Sequence, residues 1–337
     1  MITAGPWATL PRPLLVVGAY GYRNVGDEAI LAGLLRALGP GTGLSVVSRA
    51  PAETAALHVI PTIPISRAAA GLRGSRSVLI GGGGLFGPDL GLIGRLLGPF
   101  GLAAALGGKQ VAVAGVGVDD HLSSATAWGL RRLAAAGTWF GVRDGRSAAA
   151  LHACGIDATV MEDLSVGLPP GSRTEAAALL RAKGLDPTRP IIGLCLHGLD
   201  ARLARQLPAT MSEVVEGLPG VQFCFVPMSQ HPYVVAHNDL LLGLAIRAAA
   251  PRVAILDGLY HPAIVLAAFR LFSAAVCMRY HSLLFAARAG IPIVALPAAD
   301  KCRDWLTERG SGFTEPSGPA VLAALRDALD ERSAWSA

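Results

Sequence analysis

The stretch Leu14-Leu15-Val16-Val17-Gly18-Ala19-Tyr20-Gly21-Tyr22-Arg23-Asn24-Val25-Gly26-Asp27-Glu28-Ala29-Ile30-Leu31 decides the fold. Four successive apolar residues ending at a glycine suit a short strand buried on both faces, the kind found in parallel sheets. Glycines at 18, 21 and 26 let the chain turn sharply, and a helix is predicted from near Asp27 through Glu28–Leu38. Strand, glycine loop and helix form the first step of a doubly wound α/β domain. The helix start leaves amides open to an anion or a polar group. The spacing is not GxGxxG, and no acidic residue stands where a ribose would need one, so NAD is not read here. The local alternative for Asp27 and Glu28 is capping and dipole complementation of that helix.

The same alternation runs outward from this stretch. Strands are predicted at Leu14–Val17, Leu44–Val47, Ser77–Ile80, Gln110–Ala114, Thr138–Val142 and Ala158–Met161, with helices at Ala125–Ala136 and Arg146–Cys154. Leu168-Pro169-Pro170-Gly171-Ser172 can continue neither element and reads as a linker. Beyond it strands recur at Ile191–Cys195, Val221–Val226, Val253–Leu256, Ala274–Met278 and Ile293–Ala295. Helices include Thr174–Lys183, Asp239–Ala250, Ile264–Phe269, Ser282–Ala289 and Ala320–Asp330. The expectation is α/β, two Rossmann-like domains facing across a cleft, an N-terminal one over residues 1–168 and a C-terminal one over 172–337.

Composition excludes several classes. Of 337 residues, 52% are apolar and 16% charged, which rules out intrinsic disorder. The formal charge of +5 comes almost wholly from scattered arginines, the lysines being Lys109, Lys183 and Lys301, and no basic run tracks a phosphate backbone. No nucleic-acid partner is expected. Cys154, Cys195, Cys224, Cys277 and Cys302 show no CxxC spacing and read as reduced thiols of a cytoplasmic protein. The N-terminus lacks a charged region before its apolar run, so no signal peptide is read. Leu90–Leu106 is the most apolar stretch, but Arg95, Pro99 and glycines 91, 94, 98 and 101 interrupt it. It is too short and broken to span a bilayer; a buried helix and a peripheral contact at the inner face of the membrane are its two readings.

In doubly wound sheets ligands bind beyond the carboxyl ends of the strands, which directs attention to four loops. Gly81-Gly82-Gly83-Gly84-Leu85-Phe86 is too glycine-rich for a strand or helix interior; either a ligand lies on that backbone or two elements cross there. No Gly-Lys-Ser/Thr follows, so it is not a Walker loop. Arg143-Asp144 follows Phe140-Gly141-Val142, placing a guanidinium at a strand end where it can hold a carboxylate or phosphate; an Arg143–Asp144 pair or cap is the alternative. Asp163 is another strand-end carboxylate. Asp119-Asp120-His121 are neighbours on one loop and are not read as a metal site. Arg279-Tyr280-His281 leads into the helix at Ser282. In an extended segment residues 279 and 281 project to one side, at a positive helix end. No Gly-x-Ser-x-Gly elbow supports a serine nucleophile.

Taken together, these residues resemble the polysaccharide pyruvyl transferase family over roughly residues 14–310. The matching pieces are GAYGYRNVGDEAIL (18–31), GGGGLF (81–86), the loop after VAVAGVG, VRDGRSAAAL, PMSQHPYVVAHNDL and MRYHSLLFAARAGIPIVAL with Lys301 after it. The resemblance implies a fold like that of GT-B glycosyltransferases. It implies transfer of the pyruvyl group of phosphoenolpyruvate onto two hydroxyls of a sugar acceptor, closing a cyclic ketal and releasing phosphate. It also implies His281 as general acid, Arg279, Arg143, Lys301 and Ser282 as donor-binding residues, and Tyr22, Asn24, Asp27, Gly83 and Gly84 on the acceptor side. No cofactor and no metal are implied. The chain departs from the family's pattern at Val118, where a proline is common, at Asp163-Leu164, and at His197, where another basic residue is frequent.

The chemistry agrees with the residue types. Phosphoenolpyruvate carries about three negative charges, which arginines can neutralise in a partly buried site. Protonating its methylene carbon calls for one acid working near neutrality, a task suited to histidine. Two enzymes of other kinds compete with this reading, a nucleotide-sugar glycosyltransferase of the same shape and an enolpyruvyl transferase that stops before ring closure. A catalytically silent binding protein is the third alternative.

Overall fold

The computed structural model describes residues 5–41, 43–87 and 91–335. The chain divides into two compact units. The first comprises Met1–Tyr22 and Asp27–Pro169, the second Arg23–Gly26 and Pro170–Ala337. The break falls inside the proline stretch. The short segment Arg23–Gly26 belongs with the second unit although the chain on either side of it belongs with the first.

In the first unit the elements follow in order β1 (Leu14–Val17), α1 (Val25–Leu38), β2 (Leu44–Ser48), α2 (Pro51–His58), β3 (Thr62–Pro64), α3 (Ala68–Gly74), β4 (Ser77–Phe86), α4 (Gly91–Leu106), β5 (Gln110–Val118), α5 (Ser124–Ala135), β6 (Trp139–Val142), α6 (Gly145–His152) and β7 (Thr159–Val160). They form one parallel sheet in the order β3-β2-β1-β4-β5-β6-β7. Alternate residues of β1 point to opposite faces. Leu15 and Val17 pack with Val78, Ile80 and Val113 on one side, while Leu14 and Val16 pack with Ile30, Leu31 and Leu34 of α1 on the other. Fully burying each such side chain is worth about 1.5–3 kcal/mol, so the two cores hold the sheet between its helical layers.

The second unit continues with α7 (Arg173–Ala182), β8 (Ile191–Cys195), α8 (Ala201–Glu216), β9 (Gln222–Phe225), α9 (Asp239–Ala249), β10 (Val253–Ile255), α10 (Pro262–Phe269), β11 (Ala274–Cys277), α11 (Tyr280–Ala289), β12 (Ile293–Ala295), α12 (Asp300–Thr307) and α13 (Gly318–Trp335). Its parallel sheet has the order β10-β9-β8-β11-β12. Ile192, Leu194 and Leu196 pack against Met211, Val214, Ile246 and Leu325. Phe269 meets Phe285 edge to face and Phe272 at a tilt. In both sheets the strand order reverses at one point, β1/β4 in the first and β8/β11 in the second. These switch points open a crevice beyond the strand ends; the loops after β1, β4 and β11 leave from them, whereas Arg143 follows β6, two strands from β4.

Three expectations change. The glycines at 81–84 lie inside β4, which runs ten residues with a register shift between Gly83 and Phe86. The first-unit helix starts at Val25, before Asp27. The helix after β11 starts at Tyr280, so Arg279 is its extended N-cap and His281 lies within its first turn; residues 279–281 are not one extended segment.

Candidate active site

Glu28 anchors the loop after β1. Its buried carboxylate accepts the Gly21 amide at 2.9 Å through Oε1 and meets His58 Nε2 at 2.7 Å through Oε2. The helix-dipole role expected of Glu28 is therefore joined by a second one, fastening the glycine loop to the end of α2. Tyr20 is fully buried, donates to the Gly81 carbonyl at 2.7 Å, and has its phenol pushed well above the ordinary range by burial, with the Asp27 and Glu28 charges adding to it.

The glycine run owes its composition to the crossing of α1 over β4. A Cβ on Gly82 would stand 2.1 Å from the Ile30 side chain, and one on Gly83 2.5 Å from the Asp27 carboxylate. Both also hold φ near +75 to +80°, a region other residues avoid. Gly84 differs: it is exposed and a side chain there would meet open space. Of the first-unit residues expected on an acceptor side, Asp27 and Gly83 are thus brought together, Gly84 lies next along the strand, and Tyr22 is half-buried at the end of the β1 loop.

Arg143 is buried at the end of β6, its guanidinium stacked close over Gly117. Nε lies 3.4 Å from Asp144, which caps α6 by accepting the Ser147 amide, and one terminal nitrogen lies 3.9 Å from buried Asp163. Asp144 and Asp163 thus both lie beside the buried guanidinium.

The second unit gathers more. The segment Arg23–Gly26 is stitched to the β9–α9 loop by backbone bonds. The Val25 amide donates to Met228, the Gln230 amide donates to Arg23, and Asn24 forms an isolated bridge with Ser229. Asn24 Oδ1 also accepts the Gly26 amide at 2.9 Å. Gly26 then abuts His281, leaving no room for even a methyl group between backbone and imidazole. Next to it stands the pair Arg279–Asp239. Arg279 donates to both oxygens of fully buried Asp239, at 3.1 Å through Nε and more closely through a terminal nitrogen. Asp239 also accepts the Ser229 amide at 2.9 Å. Burial pushes its carboxyl up, while Arg279 and the backbone amides pull it back toward the charged form. The sequence marks Asp239 as the start of a helix and as part of the PMSQHPYVVAHNDL stretch, without a role for its side chain. Its partner is forty residues away, and no local signal joins them. Ser282 is fully buried and donates to the Arg279 carbonyl at 2.6 Å, closing the first turn of α11.

His197, after β8, reports the electrostatics. Its imidazole is pushed down to about 3 by burial first, then by the charges of Arg279 and Lys301, against an opposing hydrogen bond to the Met278 backbone. Nδ1 accepts the Leu199 amide, so the ring is held neutral. The charges of Arg279, which is paired with Asp239, and of Lys301 both reach His197 at the end of β8. Among the described residues no three His, Cys, Asp or Glu side chains gather as a metal cage.

Comparison with known proteins bears on this arrangement. The family model for polysaccharide pyruvyl transferase matches residues 24–298. No curated protein matches the chain. Solved structures match over nearly the whole length. A UDP-GlcNAc 2-epimerase from Neisseria meningitidis, bound to UDP-GlcNAc, is 12% identical with a TM-score of 0.64, covering 95% of this chain and 92% of that one. A putative UDP-N-acetylglucosamine 2-epimerase from Listeria monocytogenes is 14% identical with a TM-score of 0.63, covering 96% and 89%. Anabaena Alr3699/HepE in complex with UDP-glucose is 13% identical with a TM-score of 0.63, covering 95% and 90%. At these identities the likeness is one of fold, the two-unit α/β architecture of GT-B proteins.

Proposed function

We propose, from the premise that the chain belongs to the polysaccharide pyruvyl transferase family, that it moves the pyruvyl group of phosphoenolpyruvate onto two hydroxyls of a sugar acceptor. The observation that carries this reading is the cluster at the head of α11. Arg279 caps the helix in extended conformation, His281 lies in its first turn, and the fields of Arg279 and Lys301 both reach His197. A donor with a carboxylate and a phosphate needs such a concentration of charge, and the helix end adds to it.

In this reading Arg279 and Lys301 hold the donor's negative groups. His281 delivers a proton to the methylene carbon, which becomes the methyl group and leaves an electron-poor C2. A sugar hydroxyl adds at C2, the C2–O bond to phosphate breaks, and the second hydroxyl adds to close the ketal. Of the two hydroxyl protons one restores His281 and the other leaves on hydrogen phosphate, so charge and atoms balance. Asn24, beside Gly26, and the first unit's Tyr22, Asp27, Gly83 and Gly84 are the acceptor candidates.

The test is phosphate release from phosphoenolpyruvate, followed with panels of lipid-linked, nucleotide-linked and small sugar acceptors. Proton NMR of the product should give a ketal methyl singlet. A vinyl signal would point to enolpyruvyl transfer. Consumption of a nucleotide sugar with phosphoenolpyruvate untouched would overturn the reading.

A further inference from the structure

We infer that the outer face of α4, together with α5, docks on an anionic lipid bilayer. Helices that cover a sheet normally turn polar residues outward. Here α4 turns outward Arg95, Leu96, Pro99, Leu102, Ala103 and Leu106, and the one charge on that face is Arg95. Leu96 is 53% exposed and Leu106 78%. The helix predicted from Leu90–Leu106 is thus buried on one side only; Leu90 itself lies outside the described residues.

The apolar face continues onto α5. The two helices pack closely, since a Cβ on Gly98 would stand 3.2 Å from the Gly129 backbone and one on Gly101 3.0 Å from the Leu133 side chain. That register brings Trp128, 49% exposed, level with Arg95 and Leu96. Arg132 lies over the Trp128 ring at 5.8 Å, and Arg131 is exposed beside it. Neither helix contains an aspartate or glutamate. Of the acidic pair preceding α5, Asp120 is taken by Arg146 and Asp119 accepts the His121 amide. Lys109 is turned to the Ser75 carbonyl and is not counted in the patch.

An apolar stripe edged with arginines and carrying a tryptophan matches the boundary between lipid headgroups and acyl chains. The charge pattern selects this occupant over a second copy of the chain. Self-association through the same face would bring two sets of Arg95, Arg131 and Arg132 together with no acid to offset them. No described helix is long and apolar enough to cross a membrane, so the contact is a surface one. The inference does not depend on the donor chemistry, and its test needs no substrate.

The full chain is floated with vesicles of phosphatidylcholine alone and of phosphatidylcholine and phosphatidylglycerol in equal parts. The expected result is recovery with the anionic vesicles that falls steeply with added salt, and little recovery with the neutral ones. Leu106→Asp and Trp128→Ser, both at exposed positions, should each lower the partition coefficient about tenfold with the melting temperature unchanged. Tryptophan emission should shift to the blue on anionic vesicles in the wild type and much less in Trp128→Phe. No flotation, equal flotation on both vesicles, or undiminished flotation of the two variants would overturn the proposal. So would a concentration-dependent dimer abolished by Leu106→Asp in a chain that does not float.

Discussion

A Cβ built on Gly26 would lie 2.0 Å from Nδ1 of His281. The backbone at residue 26 is therefore one wall of the imidazole's seat, and the glycine that looked like part of an N-terminal anion loop sets the position of the proposed acid. Gly26→Ala must displace the ring. A misplacement of about 1 Å can cost about 10²-fold in rate, so phosphate release should fall by that order. Phosphoenolpyruvate affinity should change little, because Arg279 and Lys301 are untouched. Calorimetry alongside a single-turnover assay checks both halves; wild-type turnover in a folded variant would remove Gly26 from the argument.

His281→Gln preserves size and some hydrogen bonding but carries no transferable proton. Turnover should drop about 10²–10⁴-fold, the usual contribution of a general acid–base group, with donor binding and melting temperature close to wild type. Loss of binding and stability together would assign His281 a structural role instead.

Asp239 positions Arg279, and removing it leaves a guanidinium beside a buried void. Asp239→Ala should cost about 3–5 kcal/mol of stability, as breaking a buried pair from one side does, read from urea denaturation. Arg279→Lys keeps the charge but loses the two-point grip. It should weaken phosphoenolpyruvate binding while costing less stability than Asp239→Ala. Equal donor affinity in Arg279→Lys and wild type would argue against a guanidinium held by Asp239 as a donor-binding group.

His197 should make the protein acid-sensitive. The unfolded imidazole takes up a proton below its ordinary value of 6.5, whereas the folded one stays neutral down to about 3. Between those values the unfolded chain binds more protons, so stability falls as pH falls. The loss attributable to this residue is about 2 kcal/mol between about pH 7 and about pH 5. His197→Gln, which can still accept the Leu199 amide, should flatten the denaturation midpoint across that interval. An unchanged slope would show that the acid sensitivity arises elsewhere.

Much of this was legible in the chain. The runs Leu14–Val17, Ile191–Cys195 and Ile293–Ala295 were read with the bounds the structure has, since short β-rich apolar segments stopped by glycine or proline are local signals. Reading the residues just past each strand led to Arg143, Arg279 and His281, because a parallel sheet delivers its strand ends to one edge. Elements without a strong local pattern were missed. The strand Thr62–Pro64 has three residues, and the helix Ala201–Glu216 carries an internal proline and polar residues over most of its outer side.

The sequence by itself determined the alternation of strands and helices, the break at the two prolines, and the strand-end positions where chemistry gathers. Periodicity and backbone stiffness act within a few residues and leave their mark in composition. Only the tertiary structure decided who meets whom. It joined Arg279 to Asp239, set Glu28 between Gly21 and His58, and put Arg23–Gly26 with the second unit against His281. It also explained Gly82 and Gly83 by the passage of α1 and turned the apolar side of α4 outward. Each of these depends on how distant segments pack, and packing satisfies buried charge and fills space without regard to distance along the chain.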